Sequence, residues 1–298
     1  MRLLLTGANG QVGWELRRSL MPLGKVMAMD RNACDLSRPQ DLPRIIREIA
    51  PDVIINAAAY TGVDKAEEEE SLATLVNGIA VGVIADEARK LGALLIHYST
   101  DYVFDGTKAI PYVEDDPPHP INAYGRSKLV GEQAVERCGG NHLILRTSWV
   151  YAARGHIFLR TVLRLARERD ELRIVSDQFG APTWAREIAD ATASILGRAC
   201  HEQEAQNFVS GIFNLTAAGA TSWFGFAEAI LDQAERHIGV RRNIVHPISS
   251  LDYPVRAARP KNCWLATDRI RARFGITMAD WKRALTRCMQ GAILLQEK

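Results

Sequence analysis

The sequence predicts an α/β fold in which a doubly wound parallel sheet is followed by a smaller C-terminal α/β lobe. Short, continuously apolar segments alternate with longer segments of helical period, and a glycine-rich turn follows the first of them. Continuously apolar strands are buried on both faces, which requires helices on both sides of a parallel sheet. The alternation loosens beyond residue 150, which indicates a second lobe.

The elements follow one another in the order that right-handed crossovers require. The strands predicted for the sheet are 2–7, 25–30, 52–59, 93–100 and 142–150. The helices predicted between them are about 11–21, 39–50, 64–91 and a segment from about 121. The later elements are helices near 156–169, 184–199, 222–238 and 279–295, and strands near 172–176 and 211–217. We interpret 1–150 as one domain to which 184–217 returns, and 151–183 with 218–298 as the second lobe.

Composition limits the class of protein. The chain has 298 residues with 47% hydrophobic and 24% charged residues, which suits a globular enzyme with a large core. A net charge of +2 argues against binding to nucleic acid or a membrane surface, and no apolar run of membrane-spanning length or signal peptide is predicted. Five scattered cysteines without a CxxC pair predict neither a zinc site nor a disulfide framework. We expect a cytoplasmic protein with a small-molecule ligand.

The stretch TGANGQVG carries the strongest cofactor signal. Gly7, Gly10 and Gly13 lie where the first strand turns into the first helix, and Gln11 and Val12 begin that helix. A dinucleotide needs a tight turn here, close approach of the backbone to its pyrophosphate, and a helix N-terminus that faces the anion. The turn therefore predicts a Rossmann-like dinucleotide-binding domain.

The end of the second strand leaves the coenzyme open. Asp30 could accept hydrogen bonds from an adenosine ribose, whereas Arg31 could pair with a 2′-phosphate, so both NADH and NADPH remain possible. Further cofactor contacts are expected at the carboxyl ends of the strands. They are Asp35, Leu36, Ala57, Ala58, Ala59, Tyr60 and Thr61.

Three side chains predict the chemistry. Tyr124 and Lys128 are four residues apart in INAYGRSK, so on a helix they share one face, and Thr100 follows the fourth strand. Reduction of a ketone requires a proton for its oxygen. A lysine ammonium, together with the positively charged nicotinamide, is expected to lower the pKa of the tyrosine from its usual value near 10, and the threonine hydroxyl can hold the substrate oxygen. Tyr124 and Lys128 are also expected to contact the cofactor.

GANGQVG, STDYVF and YGRSK resemble the extended short-chain dehydrogenase/reductase superfamily. Five stretches, spread over nearly the whole chain, resemble the dTDP-4-dehydrorhamnose reductase family: NAAAYTGVDKAEEE (56–69), STDYVFDG (99–106), RTSWVYA (146–152), SDQFGAPTWA (176–185) and ARPKNC (258–263). RTSWVY and the DQxGxPT pattern are much more specific than the superfamily motifs. The resemblance implies NAD(P)H-dependent reduction of the 4-keto group of dTDP-4-dehydro-L-rhamnose. The product would be dTDP-L-rhamnose, made for bacterial surface polysaccharide, and the second lobe would bind the nucleotide sugar.

The resemblance also implies residue roles. Tyr124 would donate the proton, and Lys128 would tune the pKa of Tyr124 and bind the ribose. Thr100 would adjust the protonation of the substrate oxygen. The substrate contacts would be Thr100, Asp101, Trp149 and Arg259, the last to the diphosphate. Some family members dimerise around Mg²⁺ held by glutamates; Glu15 and Glu187 match two of the positions, but Arg287 stands near a third.

Two other functions use similar residues. A nucleotide-sugar dehydratase or epimerase would have the same fold, but dehydratases carry a glutamate where this chain has Tyr102, and a phenol is a poor substitute for that base. An epimerase would keep NAD bound and consume none. A non-catalytic, reductase-like regulatory subunit is disfavoured because Tyr124, Lys128 and Thr100 are all present.

Two features are predicted to be structural. Asp64 and Glu67 begin an acidic run and are expected to form a capping box at a solvated first helical turn. Trp223 lies in a helical segment and is expected to be a core residue.

Overall fold

The fold is an α/β arrangement whose computed structural model describes residues 1–155, 158–238 and 244–293. The strands are β1 (Arg2–Thr6), β2 (Lys25–Met29), β3 (Val53–Asn56), β4 (Leu94–Thr100), β5 (His142–Thr147), β6 (Val150–Tyr151), β7 (Glu171–Val175), β8 (Phe179–Gly180), β9 (Thr183–Trp184), β10 (Gly211–Asn214), β11 (Thr221–Ser222) and β12 (Ile244–Ile248). The helices are α1 (Gln11–Ser19), α2 (Leu42–Ile49), α3 (Val63–Ala66), α4 (Glu70–Thr74), α5 (Ala80–Leu91), α6 (Ala123–Cys138), α7 (Phe158–Glu168), α8 (Ala185–Glu204), α9 (Trp223–Ile238), α10 (Asp268–Phe274) and α11 (Trp281–Ile293).

Six parallel strands form the central sheet in the order β2-β1-β3-β4-β5-β10. The chain leaves β1 towards β2 on one side and returns to place β3 on the other, so the strand order reverses between β1 and β3. Ligands of doubly wound sheets bind at such a reversal, outside the carboxyl ends of the strands. The predicted fold class is confirmed.

Helices cover both faces of this sheet, which explains its continuously apolar strands. Leu3, Leu5 and neighbouring inward residues face α1 and α8, whereas Leu4 and Ile54 face α2 and α5. Successive strand residues point to opposite faces, so every position of such a strand is buried. Each strand therefore places its carboxyl end at one edge of a rigid layer.

The segment 184–217 lies against the first part of the chain. Helix α8 packs on α1, and β10 pairs in parallel with β5, with Phe213 opposite Leu145. A separate core joins α7, α9 and α11 to β7, which pairs with β12. Phe226 and Trp281 lie at the centre of that core.

The stretch 64–91 is not the single helix that its sequence predicts. It consists of α3, α4, a π-helical turn at Leu75–Ile79 and α5. The Asn77 carboxamide bonds both the amide and the carbonyl of Tyr60, at 2.8 and 3.0 Å, and donates to Ser127 Oγ at 2.9 Å. The π turn thus points one amide side chain between the loop after β3 and α6, a geometry typical of functional sites.

One helical run is apolar over a greater length than the sequence analysis predicted. Within the residues that the structure describes, Glu70–Leu91 is long and apolar enough to cross a membrane by length and composition alone. Half of this run is buried inside the protein, where it contacts α2 and α6. Burial on several sides is what the core helix of a doubly wound fold requires.

Candidate active site

The glycine-rich turn brings three backbone segments into contact. Gly7 has φ +69° and lies so close to the loop after β3 that a Cβ would meet Ala58 N at 2.6 Å. A Cβ on Gly13 would meet the carbonyl oxygen of Gly7 at 2.1 Å. Helix α1 therefore starts directly against the turn, with Gly10 as its N-cap and its first amide groups free for an anion.

A cavity of about 660 Å³ opens at this turn and continues to α6. All the predicted cofactor residues except Gly13 line it: Gly7, Gly10, Gln11, Val12, Asp30, Arg31, Asp35, Leu36, Ala57, Ala58, Ala59, Tyr60, Thr61, Tyr124 and Lys128. Gly13 instead allows the close packing of α1 on the turn. The volume lies within the range of about 300–1,000 Å³ typical of cofactor sites.

The cavity wall carries polar atoms that need a ligand. Gln11 Oε1, Ser99 Oγ and Thr147 Oγ1 are buried and have no hydrogen-bond partner within the protein. All three residues line the cavity. Because buried polar atoms are normally hydrogen-bonded, these residues together with the glycine turn fit a polar dinucleotide.

The side chains of Asp30 and Arg31 differ in how firmly neighbouring groups hold them. Asp30 Oδ1 accepts from the amides of Asn32 and Ala33, at 3.0 and 3.2 Å, and Oδ2 accepts from Asn9 Nδ2 at 3.1 Å. The Arg31 side chain is 78% exposed, with Nε 3.6 Å from Asp35 Oδ1. The carboxylate stabilises its own turn while the guanidinium can move, so the geometry is compatible with either coenzyme.

Helix α6 is held at its N-terminus by two side chains. Asn122 is the N-cap, and its Oδ1 accepts from Gly125 N at 2.8 Å. Glu67 Oε1 accepts from the amide of Ala123 at 2.8 Å. These bonds satisfy amides that a helix leaves without partners, and they place the first turn, with Tyr124, at the cavity.

The expected capping box at Asp64 and Glu67 is wrong. The N-cap of α3 is Gly62, without a side-chain cap, and Glu67 caps α6 instead. Asp64 accepts from both terminal nitrogens of Arg259, at 3.1 and 2.7 Å. A distant arginine offers two charged donors, which a local capping bond cannot match.

Tyr124 lines the cavity, and Thr100 is a buried neighbour that acts on its phenol. Burial raises the pKa of Tyr124 to about 12, and the Thr100 hydroxyl acts in the opposite direction. Lys128 is not among the causes of this shift, and the expected lowering by Lys128 together with the nicotinamide stays a prediction for the cofactor-bound site. The loss of solvent outweighs any nearby positive charge, and the phenol stays in the protonated form that a proton donor needs.

Lys128 is directed away from solvent. Its side chain is 2% exposed, and Nζ donates to the carbonyl oxygen of Tyr98 at 2.6 Å. Burial lowers the pKa of Lys128 to about 8, although the Glu132 carboxylate opposes the shift. Nζ also lies 3.4 Å from His97 Nε2.

Asp101 orients the Thr100 hydroxyl. Thr100 Oγ1 donates to Asp101 Oδ1 at 2.8 Å, and Ser148 Oγ donates to Oδ2 at 2.7 Å. Burial raises the pKa of Asp101 to about 6, with the hydrogen bonds from Ser148 and Thr100 acting in the opposite direction. Asp101 is thus a buried carboxyl that ionises only above the ordinary range of aspartate.

A stability measurement tests this carboxyl. A pKa raised from about 3.8 to about 6 stabilises the folded state below pH 4, and this contribution is lost as pH rises through 6. The loss amounts to roughly 3 kcal/mol. Replacing Asp101 by Asn should remove this part of the pH dependence of the unfolding free energy, measured in urea between about pH 4 and 7. An unchanged slope in the variant would refute the assignment.

A second cavity of about 810 Å³ lies between α7, β7, β12 and the following loop. Of the predicted substrate residues only Arg259 lines it, whereas Thr100, Asp101 and Trp149 line neither of the two cavities. Trp149, at φ +44°, stacks on Trp223 with ring centroids 3.6 Å apart. Trp223 lines the cavity and also packs, half-buried, against the core that joins α7, α9 and α11, as its sequence position predicts. One face of Trp149 contacts the Trp223 ring.

The predicted magnesium ligands are paired with arginines. Glu15 Oε2 accepts from Arg186 Nε at 2.9 Å, and Glu187 Oε1 lies 3.5 Å from Arg287 Nη1. Among the described residues no three His, Cys, Asp or Glu side chains are grouped so that they could hold a metal ion. Guanidinium groups occupy the places where a cation would sit, so the geometry gives the Mg²⁺ prediction no support.

Several residues of the site escaped prediction. His97 and Asn56 lie beneath Lys128, Asn77 lies behind the loop after β3, and Ser148 contacts Asp101. A polar residue at an inward position of an otherwise apolar strand is the signal that could have revealed His97 and Asn56. No local pattern marks Asn77 or Ser148.

Comparisons with known proteins agree with this geometry. A family model described as "RmlD substrate binding domain" matches residues 1–293. A dTDP-4-dehydrorhamnose reductase of Burkholderia thailandensis is 54% identical over 97% of this chain and 98% of its own, and one of Escherichia coli is 42% identical over 97% of each. The crystal structure of dTDP-4-dehydrorhamnose reductase from Bacillus anthracis in complex with NADP is 34% identical, with a TM-score of 0.88 over 97% of this chain and 99% of that one. The chain belongs to the dTDP-4-dehydrorhamnose reductase family.

Proposed function

We propose that this protein reduces the 4-keto group of dTDP-4-dehydro-L-rhamnose to give dTDP-L-rhamnose, with NADPH or NADH as reductant. This is the last step in making dTDP-rhamnose for surface polysaccharide. The observation that carries the proposal is the position of Tyr124, which lines a cavity that begins at a glycine-rich turn and shares it with Lys128. Burial raises the pKa of Tyr124, which favours the protonated phenol that a reduction needs. The two named reductases at 54% and 42% identity support the choice of substrate.

The residues have distinct tasks. The reduced nicotinamide supplies hydride when it is bound, and Tyr124 gives its proton to the sugar oxygen. Thr100 holds that oxygen beside the phenol by donating its hydroxyl hydrogen to it; this hydrogen, which Asp101 Oδ1 accepts in this structure, turns to the ketone when the sugar binds. Lys128 binds the nicotinamide ribose from the same face of α6.

Each ligand is assigned to one part of the chain. Residues 1–150 with 184–217 bind the dinucleotide, through the residues that line the first cavity. Residues 151–183 and 218–298 bind the nucleotide sugar, with Arg259 at the diphosphate, and Trp149 at the end of the first part of the chain packs against the sugar. Arg259 stands at the second cavity, although in this structure its guanidinium is paired with Asp64.

Reduction fits the site better than elimination. Tyr102, which stands where a dehydratase needs a carboxylate base, is buried, and burial raises its pKa well above the usual value. Its ring meets Tyr124 edge-on, with centroids 5.7 Å apart. A phenol that stays protonated cannot remove a proton from a sugar carbon.

The proposed location is the cytoplasm. All five cysteines are unpaired, and thiols persist in reducing compartments.

Coenzyme oxidation tests the function. The protein should oxidise NADPH, NADH or both in proportion to added dTDP-4-dehydro-L-rhamnose, followed by the loss of reduced-nicotinamide absorbance. dTDP-glucose, which has no keto group, is the matched control and should cause no oxidation. No oxidation with either coenzyme in the presence of the keto sugar would refute the proposal.

A further inference from the structure

Three buried polar residues lie side by side across the central sheet. Thr6 of β1 is opposite Asn56 of β3, and Asn56 is opposite His97 of β4. Each is at most 1% exposed, whereas Leu4, Ile54 and Leu95, two positions earlier on the same face of each strand, are apolar. Burying polar side chains costs free energy unless each has a hydrogen-bond partner. The partners of these three side chains therefore indicate what the row does.

The hydrogen bonds identify the atoms of the Asn56 carboxamide. The amide of Ala58 donates to Asn56 Oδ1 at 3.2 Å, and Thr6 Oγ1 donates to the same oxygen at 2.6 Å. A backbone amide can only donate, so this atom is the oxygen. Asn56 Nδ2 is therefore the donor that lies 3.1 Å from His97 Nδ1.

This bond selects one tautomer of His97. Nδ1 accepts, so a neutral imidazole must carry its hydrogen on Nε2. Burial, together with the nearby Lys128 ammonium, holds the pKa of His97 well below its usual value, which keeps the ring neutral. Nε2–H then faces Lys128 Nζ at 3.4 Å.

An N–H group directed at Nζ favours the amine form of lysine and disfavours the ammonium form. The amine can accept from His97 while still donating to the carbonyl oxygen of Tyr98, at 2.6 Å. The ionisable groups that face Lys128 from its other sides are Tyr124 at the cavity and Glu132 on α6, and Glu132 is occupied by Arg146.

We propose that His97 is a positioning residue for Lys128, which it holds from beneath the cavity and biases towards the amine form through its Nε2–H. Only the catalytic purpose of this bias rests on the proposed function; the tautomer of His97 and its effect on Lys128 do not. A lysine that exchanges its proton near neutral pH can help return a proton to Tyr124 after each turnover, which an ordinary lysine cannot do readily.

Nuclear magnetic resonance of the free protein tests the tautomer. Imidazole ¹⁵N spectra should show a protonated Nε2 and an unprotonated Nδ1 for His97, unchanged between about pH 5 and pH 8. A protonated Nδ1, or an imidazolium in this range, would overturn the proposal. The experiment needs no substrate, so it remains decisive even if the sugar is not turned over and the proposed function fails.

Substitution of His97 tests the effect on Lys128. In His97→Gln the carboxamide can turn its oxygen towards Nζ and accept from the ammonium, so the titration of the Lys128 ¹³Cε signal should move to higher pH. That signal is assigned by its absence in Lys128→Met. The His97→Leu variant, which loses both hydrogen bonds, should turn over about tenfold more slowly, and His97→Gln should recover part of the rate. An unmoved Lys128 titration in a folded His97→Gln protein would contradict the proposal.

Discussion

Replacing Tyr124 by Phe is expected to lower kcat by a factor of about 10² to 10⁴, the usual contribution of a positioned general acid. The change removes the phenolic hydroxyl and leaves the ring against Tyr102. Substrate and coenzyme contacts stay in place, so KM and coenzyme affinity should change little. Steady-state kinetics with both coenzymes, together with coenzyme binding measured by fluorescence, check this result.

Tyr112→Phe is the matched control for Tyr124→Phe. The Tyr112 hydroxyl donates to Asp105 Oδ1 at 2.7 Å, and its ring stacks on Phe104 away from both cavities. Its loss should lower stability by about 1 kcal/mol and leave kcat unchanged. A Tyr124→Phe enzyme that turns over as fast as Tyr112→Phe would exclude Tyr124 as the proton donor.

Replacing Glu132 by Gln is expected to lower the free energy of unfolding by about 3–5 kcal/mol. Glu132 and Arg146 form a two-bonded ion pair, at 2.9 and 2.6 Å, with both side chains almost fully buried. The amide would leave the guanidinium without a counter-charge in a site that water does not reach. The pair joins α6 to β5, so the urea midpoint should fall while the denaturant slope stays the same.

Two further variants separate charge burial from packing. Glu48→Gln breaks the exposed pair with Arg44 and should change stability by less than about 0.5 kcal/mol. The double variant Glu132→Met with Arg146→Met should recover most of the loss, because neither charge is then buried alone. Equal effects of Glu132→Gln and Glu48→Gln would show that the buried pair does not anchor α6.

The cofactor side of the site is predictable because its determinants are local. A strand, three glycines and a helix occupy one short stretch, and the other lining residues follow from the rule that ligands bind at the carboxyl ends of parallel strands. Fifteen of the sixteen predicted cofactor residues line the cavity, and their prediction needed only this local pattern, that rule and the helical spacing of Tyr124 and Lys128. Gly13 does not line the cavity, because its close contact is with Gly7 within the turn itself.

The remaining features depend on contacts between residues far apart in the chain. Asp64 pairs with Arg259, 195 positions away, and Trp149 stacks on Trp223. The pKa of Tyr124 depends on how many protein atoms enclose the phenol, which spacing along a helix cannot reveal. These facts follow from packing and therefore had to come from the structure.

Transfer of labelled hydride tests the central claim most directly. The protein is incubated with dTDP-4-dehydro-L-rhamnose and a coenzyme that carries deuterium at the transferable position of its nicotinamide, and the product is examined by nuclear magnetic resonance. The site predicts one deuterium on C4 of the sugar for each coenzyme oxidised. A sugar product without deuterium, or an epimerised sugar with the coenzyme unconsumed, would contradict it.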